Sequence, residues 1–357
     1  MKTAIIGLPM VGKSSLFTIL TGAHEAARVG SMEMRVGVTK VPDSRLARLA
    51  AVFEPPKITH ATVEYLDCPA ISKEALRDAS YLASLRVVDA FAHVLRVFED
   101  DTVPHEKGSV DPVRDADDID TELILSDLGV VEKRMDRVER DRKKAKSPEL
   151  DKEHELLERC KTMLEETKPL RNLELSADDE KRIRGFQFLS QKPMLYVMNL
   201  GEADAPRMHE AEEKFRSGAL GGRPRTGVTA VCGKIEAELA ELEAEDAREV
   251  MESYGLNELG LERLIHGTYD LLGLMSFLTA GETEVRAWTI PKHSKAAHAA
   301  GAIHSDFEKK FIRAEVVNWK ELVDHNGYAG LRGTPLVRLE GKEYIVKDGD
   351  VLVIRHG

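Results

Sequence analysis

The chain has 357 residues, with 51 Lys/Arg against 62 Asp/Glu for a formal net charge of −11, and is 42% apolar and 32% charged. That length suits two or three domains with a sizeable core, and the composition excludes a disordered chain and a surface uniformly attractive to nucleic acid. No apolar run is long enough to cross a bilayer, and Cys68, Cys160 and Cys232 lie far apart without metal-ligand spacing, so a cytoplasmic protein with reduced thiols and no membrane contact is expected.

Lys2 to Ile6 reads as a short apolar strand, and Ser14 to Thr21 as a helix. Between them Gly7, Gly12, Lys13 and Ser14 satisfy G-x-x-x-x-G-K-[ST], whose glycines let successive main-chain N–H groups turn toward phosphate oxygens. Pro9, Met10, Val11, Gly12, Lys13, Ser14 and Ser15 are the candidate phosphate cradle, with Lys13 directed at the β- and γ-phosphates and the Ser14 hydroxyl at Mg²⁺. A strand-to-helix turn without ligand would satisfy the bare pattern. The flanking strand and helix favour phosphate. The apolar start runs straight into this loop and is not expected to be a signal peptide.

Further strand-like runs, MRVGVTKV, ATVEYLD and DAFAHVLRVF, alternate with helical ones and suggest βαβ units around a mostly parallel sheet. Asp67, ending VEYLD, is a candidate for the Mg²⁺ water shell. From about Asp118 to Arg171 the pattern turns charged and helical. Leu128, Val131, Met135 and Val138, then Leu157, Cys160 and Leu164, fall at three- and four-residue spacings, with Ser147-Pro148 as a helix start and Ser147 as its cap. An inserted antiparallel hairpin or short coiled coil is expected. The sheet resumes at Pro193 to Asn199, where Asn199-Leu200-Gly-Glu202 is placed to read a base. A strand at Gly227 to Cys232 then leads to Cys232-Gly233-Lys234, placed to pack against the base. A helix is expected from Asn257 to about Leu278, a boundary near Thr279-Ala-Gly281, and an α+β module beyond, closed by a hairpin at Asp348-Gly349. Trp288 and Trp319 read as core, and His304, Asp306 and Glu308 as surface polarity without a metal.

GLPMVGKSSLF, NLGE, KIEAELAEL, FLTAGETEVRAWTI, AAGAIHSDFEKKFIRAEV and LEGKEYIVKDGDV together resemble the YchF-type proteins, an ATP-preferring branch of the Obg-like GTPases, over essentially the full length. The resemblance implies an α/β fold with a P-loop GTPase-like parallel-sheet domain over 1–120 and 187–278. It also implies an inserted α-helical hairpin over 121–186 and a C-terminal β-grasp, ubiquitin-like TGS module over 279–357. Mg²⁺ with ATP or GTP, and association with the ribosome or RNA without DNA sequence specificity, are further implications.

Departures from GTPase patterns sharpen the functional reading. Where N-K-x-D reads guanine, Leu200 replaces the Lys and Glu202 the Asp; the longer carboxylate no longer lines up for a bidentate contact, each such contact being worth about 1–3 kcal/mol. ATP is therefore expected to bind at least as well as GTP. Asp67-Cys-Pro-Ala-Ile71 carries Ala70 in place of the family's second-switch glycine, and Ile71 cannot orient water. Ser72 to Val88 reads as ordinary helix capped by Ser72. In the first switch Ser31 keeps a hydroxyl and is a third candidate near the metal. Two readings stay open: a slow ATPase/GTPase, and a nucleotide-binding scaffold or regulator deficient in hydrolysis. A P-loop small-molecule kinase would have no use for N-x-x-E or a β-grasp tail. Lys133 to Lys146 holds eight Lys/Arg and three Asp/Glu, either a solvated helix face or an electrostatic finger for RNA.

Overall fold

The computed structural model describes residues 1–22, 34–145 and 147–357. In chain order the first elements are β1 (Lys2–Ile6), α1 (Lys13–Thr21), β2 (Arg35–Lys40), α2 (Ser44–Phe53), β3 (Ile58–Thr59), β4 (Thr62–Asp67), α3 (Ala79–Arg86) and β5 (Ala90–Arg96). Then come α4 (Pro112–Lys144), α5 (Pro148–Glu165), α6 (Ala177–Ile183), β6 (Met194–Asn199), α7 (Met208–Ser217), β7 (Thr226–Val231), α8 (Gly233–Ala240), α9 (Ala244–Ser253) and α10 (Gly260–Leu271). The last are β8 (Leu274–Ala280), β9 (Val285–Pro291), α11 (Ala296–Ile303), α12 (Ser305–Lys309), β10 (Phe311–Asn318), α13 (Trp319–Asp324), β11 (Arg338–Glu340) and β12 (Asp350–His356). They form two compact units, Met1–Val38 with Glu64–Leu271, and Thr39–Val63 with Leu272–Gly357.

The first unit carries a six-stranded sheet in the order β2-β4-β1-β5-β6-β7, parallel from β4 through β7. Its central strands β5 and β6 are buried along their whole length, which is why they read as continuous apolar runs rather than alternating ones. The helical insertion is real and starts earlier than its charge pattern suggested. Asp111 caps α4 by accepting from Arg114 N, Pro112 follows, and Ala116, Ile119 and Leu123 are buried before the helix continues into the hairpin. Val131, Val138, Leu157, Cys160 and Leu164 form the hairpin core with Ile124, Leu156 and Phe188, while Leu128 and Met135 pack on its edge. The exposed ion pairs Glu132–Lys161 and Arg142–Asp151 bridge α4 and α5, which run antiparallel. Ser147 holds the N-cap position of α5, but its hydroxyl makes no capping bond; Pro148 and the acidic Glu149 and Asp151 favour that helix start instead. Asp127 fastens the hairpin to the segment that leads into β6 by accepting from Leu189 N (3.0 Å) and Ser190 N (2.7 Å), and its burial pushes the carboxyl up to about 6 despite those donors.

Two expectations about helices are corrected. Ser72 to Val88 is not one helix. The Ser72 hydroxyl accepts from Ala75 N at 3.1 Å over a single 3₁₀ turn, and Asp78 then starts α3 afresh by accepting from Ser80 N and Tyr81 N. Nor does the helix from residue 257 reach Leu278. Gly273 adopts φ 61°, the chain turns, and Leu274–Ala280 is strand β8.

The second unit has a sheet in the order β11-β10-β12-β8-β9-β3. One face is filled by Met275, Phe277, Ile290, Ala296, Ala299, Ala314, Val316 and Leu352, with α11 packed over it. Helix α2 packs on β8, β9 and α13, burying Leu46 and Leu49, and the short β3 adds to the outer edge of β9. Residues 39–63 therefore complete this unit although they stand far from it in sequence. Asp348-Gly349 does not close a hairpin. Strand β12, which follows it, pairs with β10 and β8, because Asp348 accepts from Ser276 N, Asp350 from Lys347 N and Tyr344 OH, and these bonds steer the chain into the sheet centre. Trp288 stacks on Phe277 at 6.4 Å between ring centres, with the Arg286 guanidinium 3.8 Å from its own ring centre. Cutting the chain after Leu271 strips α2 of the sheet it covers, so that fragment is expected to melt at lower temperature and bind an apolar dye, measured against the full chain by calorimetry and fluorescence.

Candidate nucleotide site

Strand β1 delivers Gly7 at φ 144°, where a Cβ would come within 2.5 Å of Val94 O. Gly12 follows at φ 99°, and a Cβ there would meet Asn199 Nδ2 at 2.5 Å. Glycine is required at both turns. Gly12 is also the N-cap of α1, with no side-chain capping bond and no acidic residue in the first turn. The orphan N–H groups at that helix start are left for an anion. Pro9, Met10, Ser14 and Ser15 are exposed around the turn, and Val11 is buried beneath it.

Lys13 is buried and donates through Nζ to Leu8 O at 2.6 Å. Burial pulls its ammonium down to about 8, against the opposing pull of Asp67 and, further down the order, Cys68 and Glu106. Asn199 links three separate segments. From the end of β6 its Nδ2 donates to Val11 O (2.9 Å) and its Oδ1 accepts from Gly233 N (3.0 Å). The phosphate loop, the end of β6 and the loop after β7 thus meet at one side chain. Glu202 and Lys234 form an ion pair at the exposed rim. The side chains of Leu200 and Cys232 are buried, so what those positions present outward is main chain.

Asp67 ends β4 with Oδ2 bonded to Arg35 Nη2 at 2.5 Å and Nε at 3.2 Å; Oδ1 is buried without a hydrogen-bond partner among the described residues. Ser31, the other candidate metal ligand beside Ser14, lies outside the described residues. Past Asp67, Cys68 is buried with its thiol pushed up to about 12 by desolvation, and the Tyr81 hydroxyl donates to Pro69 O at 2.8 Å. Arg35, Tyr81 and His93 were not anticipated from sequence. His93 is fully buried on β5 beneath Gly7; both ring nitrogens lack partners among the described residues, and burial lowers it to about 3, so it is neutral. A lone His within the apolar run AFAHVLR was the available signal for that one.

A strand feeding a glycine-hinged turn, an uncapped helix start and a buried lysine, with an asparagine behind them, defines a P-loop nucleotide-binding protein. Comparison with known proteins narrows the class. Residues 2–127 match the family MMR_HSR1, described as 50S ribosome-binding GTPase, and residues 274–357 match YchF-GTPase_C, described as a protein of unknown function (DUF933). The "Ribosome-binding ATPase YchF" of Bacillus subtilis (strain 168) is 42% identical over 366 residues, covering 99% of both chains. That of Escherichia coli O157:H7 is 40% identical over 363 residues, covering 98% of both. The solved structure of the Schizosaccharomyces pombe YchF GTPase superposes with a TM-score of 0.82 at 27% identity, covering 99% of this chain and 97% of that one. The chain belongs to the YchF family.

Replacing Asn199 by Ala leaves Val11 O and Gly233 N without their partner and is expected to weaken nucleotide binding roughly 10- to 100-fold, about 1–3 kcal/mol, in a direct titration. Asn199→Asp, which keeps only the acceptor for Gly233, should fall between. A second expectation concerns pH. Glu236 on α8 is buried and accepts from Gly260 N at 2.6 Å, and desolvation raises its carboxyl from 4.5 to about 7. Because the folded value lies above the unfolded one, the associated stability is fully present below about pH 4.5 and is lost as pH rises through 7. The loss is roughly 3 kcal/mol. Glu236→Gln, which keeps the acceptor and removes the charge, should flatten that slope in urea unfolding at pH 5 and pH 8.

Proposed function

We propose that the protein is a ribosome-associated factor that binds ATP at least as well as GTP and turns it over slowly. The observation that carries this reading is the Asn199 link, which joins the phosphate loop to both base-facing loops and so ties triphosphate and base recognition together. For the base, Glu202 engages Lys234, and a carboxylate already paired is a poor acceptor for the two guanine N–H groups. Competitive titration tests it: ATP should displace a bound reporter nucleotide at concentrations equal to or below those of GTP.

The ribosome enters from the printed names of the relatives, ribosome-binding ATPases at 42% and 40% identity. On the chain itself the exposed Lys133, Arg137, Arg140 and Lys143 near the hairpin tip offer positive charge, while Arg134, Arg142 and Lys144 are paired with Glu153, Asp151 and Asp141. A cytoplasmic location goes with that partner, and no helix among the described residues is long and apolar enough to cross a membrane. Replacing Arg137, Arg140 and Lys143 by Gln is expected to reduce cosedimentation with ribosomes and to flatten its salt dependence.

A second reading, a nucleotide-binding regulator with almost no hydrolysis, is favoured by the Tyr81 bond to Pro69, which holds the segment after Asp67 by local contacts. Phosphate release by the purified protein, with Lys13→Ala as blank, separates the two. Mg²⁺ would accompany the nucleotide in the family pattern, through Ser14, Ser31 and Asp67; the Asp67 position does not accommodate it simply.

A further inference from the structure

Arg96 ends β5 in register with Asn199, the residue that joins the phosphate loop to the loop after β7. Its side chain is buried, and among the described residues no carboxylate is bonded to it. The guanidinium instead reaches three main-chain carbonyls. Nε donates to Phe98 O (3.0 Å), Nη1 to Val103 O (2.8 Å) and Nη2 to Asp100 O (3.2 Å). A desolvated guanidinium is costly unless its N–H groups are satisfied, so the cation and the three carbonyls hold one another in place.

The segment so held, residues 98–103, reads FEDDTV; residues 99–102 are exposed, and the segment belongs to no helix or strand. It lies beside both loops assigned to the base. A Cβ on Gly201 would come 3.5 Å from Phe98 Cβ and 4.0 Å from its Cα, and Val97 N donates to Asn199 O at 2.9 Å. The Asp100 carboxyl is held below its usual range first by the Thr102 hydroxyl (2.6 Å) and N–H (2.8 Å), then by Arg96 and Lys234. Phe98 is half-buried, with the Arg96 guanidinium 4.5 Å from its ring centre. Residues 98–103 thus stand against Gly201 and within reach of the charge of Lys234.

We propose that Arg96 is a positioning residue for the base: by fixing residues 98–103 against Gly201 it builds a wall of the base pocket without touching the ligand. A planar fork of five N–H groups suits that task, since one side chain can gather carbonyls from several positions of a short excursion. Without it, Phe98 O and Val103 O lose their N–H partner, and an exposed polar segment gains conformations that base binding must then remove. That cost falls on the nucleoside half of the ligand, because Asn199, not Arg96, holds Val11 O of the phosphate loop. The inference rests on the reading of Asn199 to Glu202 and residues 232–234 as base-facing, and it concerns the nucleoside rather than the phosphates.

The test compares ATP with inorganic tripolyphosphate, which keeps the phosphates and lacks the nucleoside, in direct titrations of the full chain with excess Mg²⁺. Arg96→Met keeps apolar bulk against Phe98 and removes the donors. Its Kd for ATP is expected to rise at least about tenfold, and its Kd for tripolyphosphate to change by less than about threefold. Equal weakening of both ligands, or of neither, overturns the proposal. Hydrogen exchange on the wild type needs no variant to fold: at equal saturation, ATP should protect the amides of residues 98–103 more than tripolyphosphate does. Equal protection by the two also overturns the proposal. A wild type that binds tripolyphosphate as tightly as ATP removes the base reading, and this inference with it, while leaving the phosphate loop. Binding of neither ligand overturns the nucleotide reading itself.

Discussion

The site depends on one buried amide. Asn199 uses its donor on the phosphate loop and its acceptor on the loop after β7, and the same crowding that forbids a Cβ at Gly12 lets the amide come close enough to do so. Packing and polar satisfaction therefore impose the same requirement at the same place. A buried amide with donor and acceptor both used holds its neighbours to one geometry, because any shift leaves a polar group unpaired. Three segments from sequence positions near 11, 199 and 233 are registered against each other this way, and the exposed Glu202–Lys234 pair only decorates the rim.

Around that anchor the charges are arranged unlike those of an open site. Lys13 is buried and, without a phosphate, donates to a carbonyl of its own loop. Asp67 is engaged by Arg35 rather than left to solvent. Beyond it, a buried thiol, a proline whose carbonyl is held by Tyr81 and a new helix start at Asp78 follow in quick succession. A glycine-rich switch reorganises because its backbone has many accessible conformations; this one has traded them for local bonds.

The parts legible in the sequence were those set by neighbours along the chain. The glycine spacing of the phosphate loop, the apolar runs of β5 and β6 and the spacing of Val131, Val138, Leu157 and Cys160 on the hairpin report local sterics and burial directly. The parts that were not legible depend on distant partners. Leu274 to Ala280 continues an apolar pattern that a helix could share, and only Gly273 and the pairing with β9 and β12 make it a strand. Asp348-Gly349 has a hairpin's composition, yet the bonds of Asp348 to Ser276 and of Asp350 to Lys347 and Tyr344 send the following strand between β10 and β8. Residues 39–63 carry no mark that assigns them to the second unit. For Arg35, the ordinary strand MRVGVTKV gives no hint that its arginine meets an aspartate 32 positions later.

That separation bears on why the ion pair is placed where it is. Between Arg35 and Asp67 the chain leaves the first unit, builds α2 and β3 into the second, and returns as β4, which lies beside β2 in the first sheet. Closing a loop of this length costs entropy that grows only slowly with its size. The excursion is itself ordered within the second unit, so the two ends return with little freedom left to lose. A guanidinium and a carboxylate at those ends meet largely out of solvent, where their attraction outweighs that of an exposed surface pair. The pair thus closes the point at which the chain leaves and re-enters the nucleotide-binding unit, and it does so on the side of the sheet that faces the phosphate helix.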